Sequence, residues 1–456
     1  MDLKRKLLRL TDAGSPPPKT LEEKYCGKSL GEGVRGRDFS SEKSLPRESP
    51  PVDDARLARL ARLRGLIRDV IERHAAPVAA PVELDVERSE LPGRVVETDD
   101  GPIHVADERL EPGHCQGRQP VAAALDVSPA TLAHIAMDPT LEVVDPRGML
   151  FLDTETTGLV GGTGTIPFLV GLGWFEDQSL HIEQLFLRQL GQERPLLVRL
   201  AHRLARASML VTYNGKTFDW PLVRTRYVMN RLVVPEAPPH LDLLHCARRV
   251  YRRRLGEVRL IHVEERVLGL RREHDIEGSE IPLRYLDYLR TGDASRLVPV
   301  IEHNAHDVVS LAAVLGRLAG RYEDPVVADE PEDHLGYARL ARRNGDLTRS
   351  IRFARLAVQG SGDPGLSVEA GLFLADLYRL ASDVEAQERA LHEVLAFLDG
   401  TDRPASAVHL ALAKLYEHRR KDLVRALGHA AHTALAEGQV NQARRLARLE
   451  RRLGRA

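Results

Sequence analysis

Gly148-Met149-Leu150-Phe151-Leu152-Asp153-Thr154-Glu155-Thr156-Thr157-Gly158 carries an apolar, strand-forming run directly into two carboxylates. Side chains at i and i+2 of a strand leave the same face, so Asp153 and Glu155 point together. Two like charges side by side are unfavourable unless something positive lies between them. A divalent cation is the economical answer, and an oxygen-rich donor set favours magnesium or manganese. Asp-x-Glu alone arises by chance in many chains. Its weight depends on whether further carboxylates fall at matching structural places.

Outward from this strand the pattern alternates. After 149–154 come a glycine-rich turn (Gly158, Gly161, Gly162, Gly164), strands over 166–175 and 180–187, a helix over 193–207 and a strand over 209–213. Three adjacent strands followed by helix and strand predict a mixed sheet with helices packed on it. Further helices are expected over 219–231, 241–254, 259–268, 281–291 and 293–319. Beyond Asp324-Pro325 the strand pattern stops. Helix-pair segments recur instead, aligned on Leu340, Leu377 and Leu415 and on turn residues Asp346, Asp383 and Asp422. Their period predicts an all-α helical-repeat domain over 332–456 resembling tetratricopeptide repeats, with an ordinary helical bundle as the alternative. Upstream, residues 1–52 are rich in Pro, Ser, Lys and Glu and read as a disordered tail. Residues 53–147 hold one amphipathic helix, over 53–76. A Pro- and Gly-punctuated stretch follows, with strand-like pieces at 93–97 and 103–106 and no function legible in its residues.

Two motifs supply the further carboxylates. Asn214-Gly215-Lys216-Thr217-Phe218-Asp219 follows the strand over 209–213, which puts Asp219 at the start of a helix beside the first strand. Glu302-His303-Asn304-Ala305-His306-Asp307 places His303 and Asp307 four apart, on one helix face, with His306 pointing elsewhere. Asp153/Glu155, Asp219 and Asp307 together resemble the three motifs of the DEDD 3′–5′ exonucleases. More closely, residues 148–320 resemble the YprB-type ribonuclease H-like domain. The features that carry the resemblance are Phe-Leu-Asp-Thr-Glu-Thr-Thr-Gly at 151–158, Tyr-Asn-Gly-Lys-Thr-Phe-Asp at 213–219 and His-Asn-x-x-Asp at 303–307. His240-Leu241-Asp242-Leu243-Leu244 and Ile281-Pro282 also fit.

The resemblance implies an α/β ribonuclease H-like domain over 148–322 that hydrolyses phosphodiester bonds. Asp153, Glu155, Asp219 and Asp307 are then ligands of two Mg2+ or Mn2+ ions roughly 3.5–4 Å apart, a spacing that stabilises both the attacking and the leaving oxygen. By this resemblance Asp153 bridges both ions, Glu155 and Asp307 complete the nucleophile side, and Asp219 holds the other ion. Thr156, Asn214 and Lys216 are expected at the substrate's phosphate or sugar. His303 departs from the family pattern: one branch has Tyr-x-x-x-Asp, another His-x-x-x-x-Asp, and this chain has histidine at the tyrosine spacing. An imidazole there can orient or deprotonate the attacking water. A helix histidine with no catalytic part is the alternative.

Composition narrows the class. With 43% hydrophobic and 29% charged residues the chain is of ordinary globular type. It has no apolar run long enough for a membrane span and no h-region behind Met1-Asp2-Leu3-Lys4-Arg5-Lys6. Cys26, Cys115 and Cys246 are scattered and odd in number, against a disulfide framework or a zinc site, so a cytoplasmic setting is expected. The net charge of −1 announces no nucleic-acid partner, but basic residues cluster at Arg248–Arg272 and Arg444–Arg455. Each cluster reads either as a phosphate-contacting surface or as a solvated helix face. Lys216 is the sole lysine between Lys43 and Lys414, which favours a local task for its ammonium. Gly161-Gly162-Thr163-Gly164 lacks a following Gly-Lys-Ser/Thr and so is no nucleotide-binding loop. Trp174 and Trp220 read as core, and Asp242 and Asp275 as caps or ion pairs. The prediction is a metal-dependent 3′–5′ exonuclease acting on single-stranded ends of DNA or RNA. Its repeats bind a protein partner or extend the nucleic-acid groove. The rivals are a catalytically silent nucleic-acid binder and a scaffold that works through the repeats.

Overall fold

In the computed structural model, which describes residues 91–158, 164–273, 275–399 and 405–454, the chain is built around strand β5 (Met149–Thr156). The expected tail over 1–52, the helix over 53–76 and most of the glycine-rich turn lie outside the described residues. Met149 to Leu152 are buried on both faces, as a continuous apolar run requires when both sides of a sheet are covered. β5 pairs antiparallel with β6 (Pro167–Glu176) and parallel with β8 (Met209–Thr212). β6 pairs with β7 (Ser179–Phe186), and β8 with β9 (His240–Asp242).

The stretch that carried no legible function adds two strands to the same sheet. β1 (Arg94–Val96) pairs with β2 (Ile103–Leu110), and β2 pairs antiparallel with β7 from His104 to Leu110. The resulting mixed sheet has seven strands in the order β1-β2-β7-β6-β5-β8-β9. A two-stranded hairpin, β3 (Cys115–Gln116) and β4 (Gln119–Pro120), stands apart from it.

Helices α1 (Pro129–Ala136), α2 (Glu193–Leu204), α3 (Asp219–Met229), α4 (Leu243–Leu255), α5 (Ile281–Thr291) and α6 (Val298–Glu323) follow in chain order. Two differ from expectation. The segment over 241–254 begins as β9 before α4 starts, because the Asp242 carboxylate caps the helix by accepting from Leu244 N–H. The segment over 259–268 is one α-turn (Leu260–Val263) and then a π-turn (Glu264–Leu268). Trp174 is not core: it is half-buried, with the Arg203 guanidinium 3.7 Å above its ring and His181 stacked beside it. Trp220 is also only half-buried.

α6 positions the site by pressing onto the sheet. A Cβ at Gly171 of β6 would lie 2.3 Å from Asn304 Oδ1 and 2.9 Å from Val308, so a bare backbone is required where the helix crosses.

The C-terminal region is all-helical: α7 (Pro331–Arg343), α8 (Leu347–Gly360), α9 (Pro364–Leu380), α10 (Val384–Leu398), α11 (Ser406–Leu415), α12 (Leu423–Ala430) and α13 (Gln439–Leu453). Asp346, Asp383 and Asp422, the aligned turn residues, cap α8, α10 and α12 alike, each accepting from the N–H three residues on. One apolar cluster runs from Phe151 and Val211 of the sheet through Val308 and Leu311 of α6 to Tyr337 and Phe353. The first helices past 330 therefore share the core of the α/β region. Within the Arg444–Arg455 cluster, Arg445, Arg448 and Arg452 have a structural role: they converge on the buried carboxylate of Glu417.

Candidate functional site

Asp153 and Glu155 leave β5 on one face and meet α6. Asn304, fully buried, donates through Nδ2 to Asp153 Oδ2 at 2.8 Å. Its amide is fixed in that sense because Gln184 Nε2 donates to Asn304 Oδ1 at 2.9 Å and to the Ile301 carbonyl at 2.8 Å. One helical turn places His303 Nε2 3.8 Å from Glu155 Oε1 and 3.7 Å from Asp307 Oδ2. Glu155, His303 and Asp307 each offer a ligand atom within 4.8 Å of the other two. Thr154, on the strand's opposite face, donates to Asp219 Oδ1, which ties the first residue of α3 to β5.

The carboxylates strain one another. Burial pushes Asp153 well above the usual carboxylate range, and the charges of Asp307 and Asp219 push it further, against the Asn304 hydrogen bond and Arg272. Glu155 is raised well above its range by burial, then by Asp153, Asp307 and Asp219. Asp219 is pushed up to about 6, mainly by burial, with the Thr154 hydrogen bond opposing. A divalent cation among them reverses that sign, and hard oxygen donors with one imidazole suit magnesium or manganese better than a soft metal. The residues present fit such a group.

A model of the RNase_H superfamily matches residues 150–319. A protein named "Uncharacterized protein YprB", from Bacillus subtilis (strain 168), is 31% identical over 315 residues, covering 67% of this chain and 75% of that protein. The chain belongs to the ribonuclease H superfamily, in the family of YprB. Membership points to a nuclease acting on nucleic acid.

Within this ribonuclease H-like domain, the structure brings Asp153, Glu155, His303 and Asp307 together, with Asp219 joined through Thr154. His306 is exposed and outside the cluster. Thr156 is buried and donates to the Gly158 carbonyl at 2.9 Å. Asn214 takes a left-handed conformation, φ 71°, which asparagine tolerates better than most residues. Its backbone N–H donates to Asp242 Oδ1 at 2.8 Å, and that of Lys216 to Asp242 Oδ2 at 3.1 Å. Asp242 is thus more than a helix cap: it shapes the loop that delivers Asp219. The Asn214 and Lys216 side chains are exposed, Lys216 Nζ lying 3.9 Å from Asp138.

Two residues of the site were missed by sequence reasoning. Arg272, hidden among nine arginines, places its guanidinium on Asp307 and on the buried Glu264. Asp275, expected only as a cap or ion pair, lies 2.6 Å from His303 Nδ1. Burial pushes Asp275 up, but the His303 hydrogen bond and the charges of His303 and Arg272 outweigh it and hold the carboxyl below its usual range. An ionised carboxylate only accepts, so Nδ1 carries the proton. Arg272 Nη1 also lies 3.3 Å from Nδ1, but two donors cannot satisfy each other, and the shorter contact decides. Nε2 is left facing Glu155 and Asp307. Asn304 stood in the quoted His-Asn-x-x-Asp motif, but no role was legible for it there; its hold on Asp153 appears only in the fold.

Proposed function

We propose that the protein is a metal-dependent 3′–5′ exonuclease that shortens single-stranded ends of nucleic acid. The observation that carries this is the unbalanced negative charge of Asp153, Glu155 and Asp307 facing an oriented imidazole, on a ribonuclease H-like sheet. Two Mg2+ or Mn2+ ions held by Asp153, Glu155, Asp219 and Asp307 would supply the positive charge that stabilises the attacking and leaving oxygens. The chain's own residues do the rest. Asn304 fixes the direction of the Asp153 carboxylate, and Thr154 that of Asp219. Asp275 holds the Nδ1 proton of His303, so that Nε2 can take a proton from the attacking water. Arg272 clamps Asp307 and limits the repulsion it feels from Asp153. Thr156, Asn214 and Lys216 stand by the loops where the strand would enter, with the Lys216 ammonium available to a phosphate.

Under the same proposal the helical region is a tetratricopeptide-like repeat array that offers a surface to a protein partner or to the substrate, and the protein works in the cytoplasm. The common cap of α8, α10 and α12, at spacings of 37 and 39 residues, supports the repeat assignment. Label placement tests the polarity. With Mn2+ or Mg2+, a 3′-labelled single strand should lose its label as mononucleotide from the earliest times, while a 5′-labelled strand gives a descending ladder. Early internal fragments, or early release of the 5′ label, would refute exonuclease action from the 3′ end.

A further inference from the structure

Between α4 and α7 lies a cleft of about 670 Å³ lined by six arginines: Arg248, Arg249, Arg252, Arg253, Arg339 and Arg343. Its only acidic lining residue is Glu332. The first four arginines belong to the α/β region and the last two to the first helix of the repeats. They face one another because the two helices nearly touch: a Cβ at Gly336 of α7 would lie 2.3 Å from the Val250 carbonyl oxygen of α4. The walls are held by contacts on their inner sides. Arg254 makes a two-pronged salt bridge to the buried Asp333, and the Tyr251 and Tyr337 hydroxyls meet at 3.1 Å.

The cations are unevenly neutralised. Glu369 pairs with both Arg253 and Arg339, and Arg249 donates to the Ile135 carbonyl at 3.2 Å. Arg248, Arg252 and Arg343 are exposed and carry no ion pair among the described residues. Holding three like charges together without partners costs stability, and a chain of net charge −1 has acids to spare for them. Guanidinium groups along two facing helices suit successive phosphates, which each can grip through two parallel donors.

One end of the cleft lies beside the loop that precedes Asp219. His245, at its near end, lies 3.9 Å from Asp242 Oδ2, the carboxylate that holds the backbone of Asn214 and Lys216. That loop delivers Asp219. From His245 to Arg253 the helix rises roughly 12 Å, enough for about two to four phosphates.

We infer that the arginine cleft between α4 and α7 is the track for the phosphodiester backbone of a single strand whose 3′ end reaches Asp153 and its neighbours. The strand crosses from the nuclease domain onto the first repeat, so the repeat region is part of the substrate groove. The direction of the strand rests on the proposed exonuclease activity; its binding in the cleft does not.

Fluorescence anisotropy tests the track without cleavage. Oligo(dT) and oligo(U) of about 20 nucleotides are titrated with the full chain in EDTA at several salt concentrations. Two variants are compared: Arg248→Ala/Arg252→Ala/Arg343→Ala in the cleft, and Arg389→Ala/Arg419→Ala/Arg444→Ala, which removes the same charge from exposed positions elsewhere. Losing three phosphate contacts lowers the slope of log K against log salt by about 2 and weakens binding on the order of 100-fold near 0.1 M salt. That loss is expected in the cleft variant alone, at an unchanged melting temperature. Preference between the two strands assigns the sugar. Equal losses in the two variants, an unweakened cleft variant, or no strand binding by the wild type would each overturn the track. Failure of the exonuclease proposal appears separately, as wild-type binding in EDTA without any cleavage once Mn2+ is added.

Discussion

Replacing Asp219 by asparagine should make the metal-free protein more stable, and increasingly so as pH rises. Asp219 is buried, and its pKa is pushed from 3.8 to about 6. A shift of about two units is worth roughly 3 kcal/mol at 1.36 kcal/mol per unit. The folded state binds this proton more tightly than the unfolded chain does. The contribution therefore favours folding below the unfolded value of 3.8 and is lost as pH climbs through about 6. Between pH 5 and pH 8 the wild type loses about 1 kcal/mol from this group, or about 2–4 °C of melting temperature for a domain of this size. Asparagine keeps the oxygen that accepts from Thr154 but has no charge to bury, so the variant lacks this component of the slope. Asp153 and Glu155 titrate in both proteins, but the variant lacks the Asp219 charge that pushes them up, so their contribution widens the gap further. Melting curves in EDTA at pH 5, 6, 7 and 8 should show the gap widening by at least that amount. Adding Mn2+ at about 100 times its dissociation constant should then stabilise the wild type by about 2.7 kcal/mol and the variant distinctly less. Parallel pH profiles in EDTA, or an undiminished Mn2+ response in Asp219→Asn, would refute the assignment of Asp219 to a strained metal site.

Three further outcomes follow from the same geometry. Gly171→Ala drives a methyl group against Asn304 and Val308, so urea unfolding should show a loss of about 1–3 kcal/mol, with strand cleavage falling as Asn304 is displaced from Asp153. Asp275→Ala removes the acceptor that fixes the proton on His303 Nδ1; turnover should fall about 10–100-fold, the range for outer partners of a metal site, with KM and melting temperature nearly unchanged. An unchanged turnover would leave His303 without an orienting partner's role. Arg254→Met strands the buried Asp333 carboxylate, itself pushed up to about 6 by burial, and should cost about 3–5 kcal/mol in denaturant unfolding, largely recovered in Arg254→Met/Asp333→Leu.

What could be read from the sequence was whatever local pattern encodes. Apolar runs such as 149–152 marked the strands, and the i, i+4 spacing of His303 and Asp307 marked a helix face looking at them. The repeated Asp346, Asp383 and Asp422 marked the caps of the helical region. What escaped depends on long-range pairing. The membership of β1 and β2 in the sheet is set by β7, some 75 residues downstream, which no local pattern announces. Arg272 and Asp275 sit in a segment with no periodicity, and their partners lie about 30 residues away on α6. Trp174 looked like core because it alternates in a strand, yet a covering arginine lets an indole rest at the surface. The basic cluster at 248–272 proved to be three things: a buried ion pair at Arg254, a site residue at Arg272, and one wall of the cleft. Sequence proximity could not separate them, because helix phase and the arrival of α7 decide which arginine faces what.

The most direct test of the metal nuclease is cleavage itself. Wild type and Asp153→Asn, purified identically, are incubated with an end-labelled single strand and Mn2+, with and without EDTA. Stepwise shortening by the wild type should vanish in EDTA and fall by several orders of magnitude in the variant. An intact strand after prolonged incubation with the wild type, or equal shortening by Asp153→Asn, would contradict it.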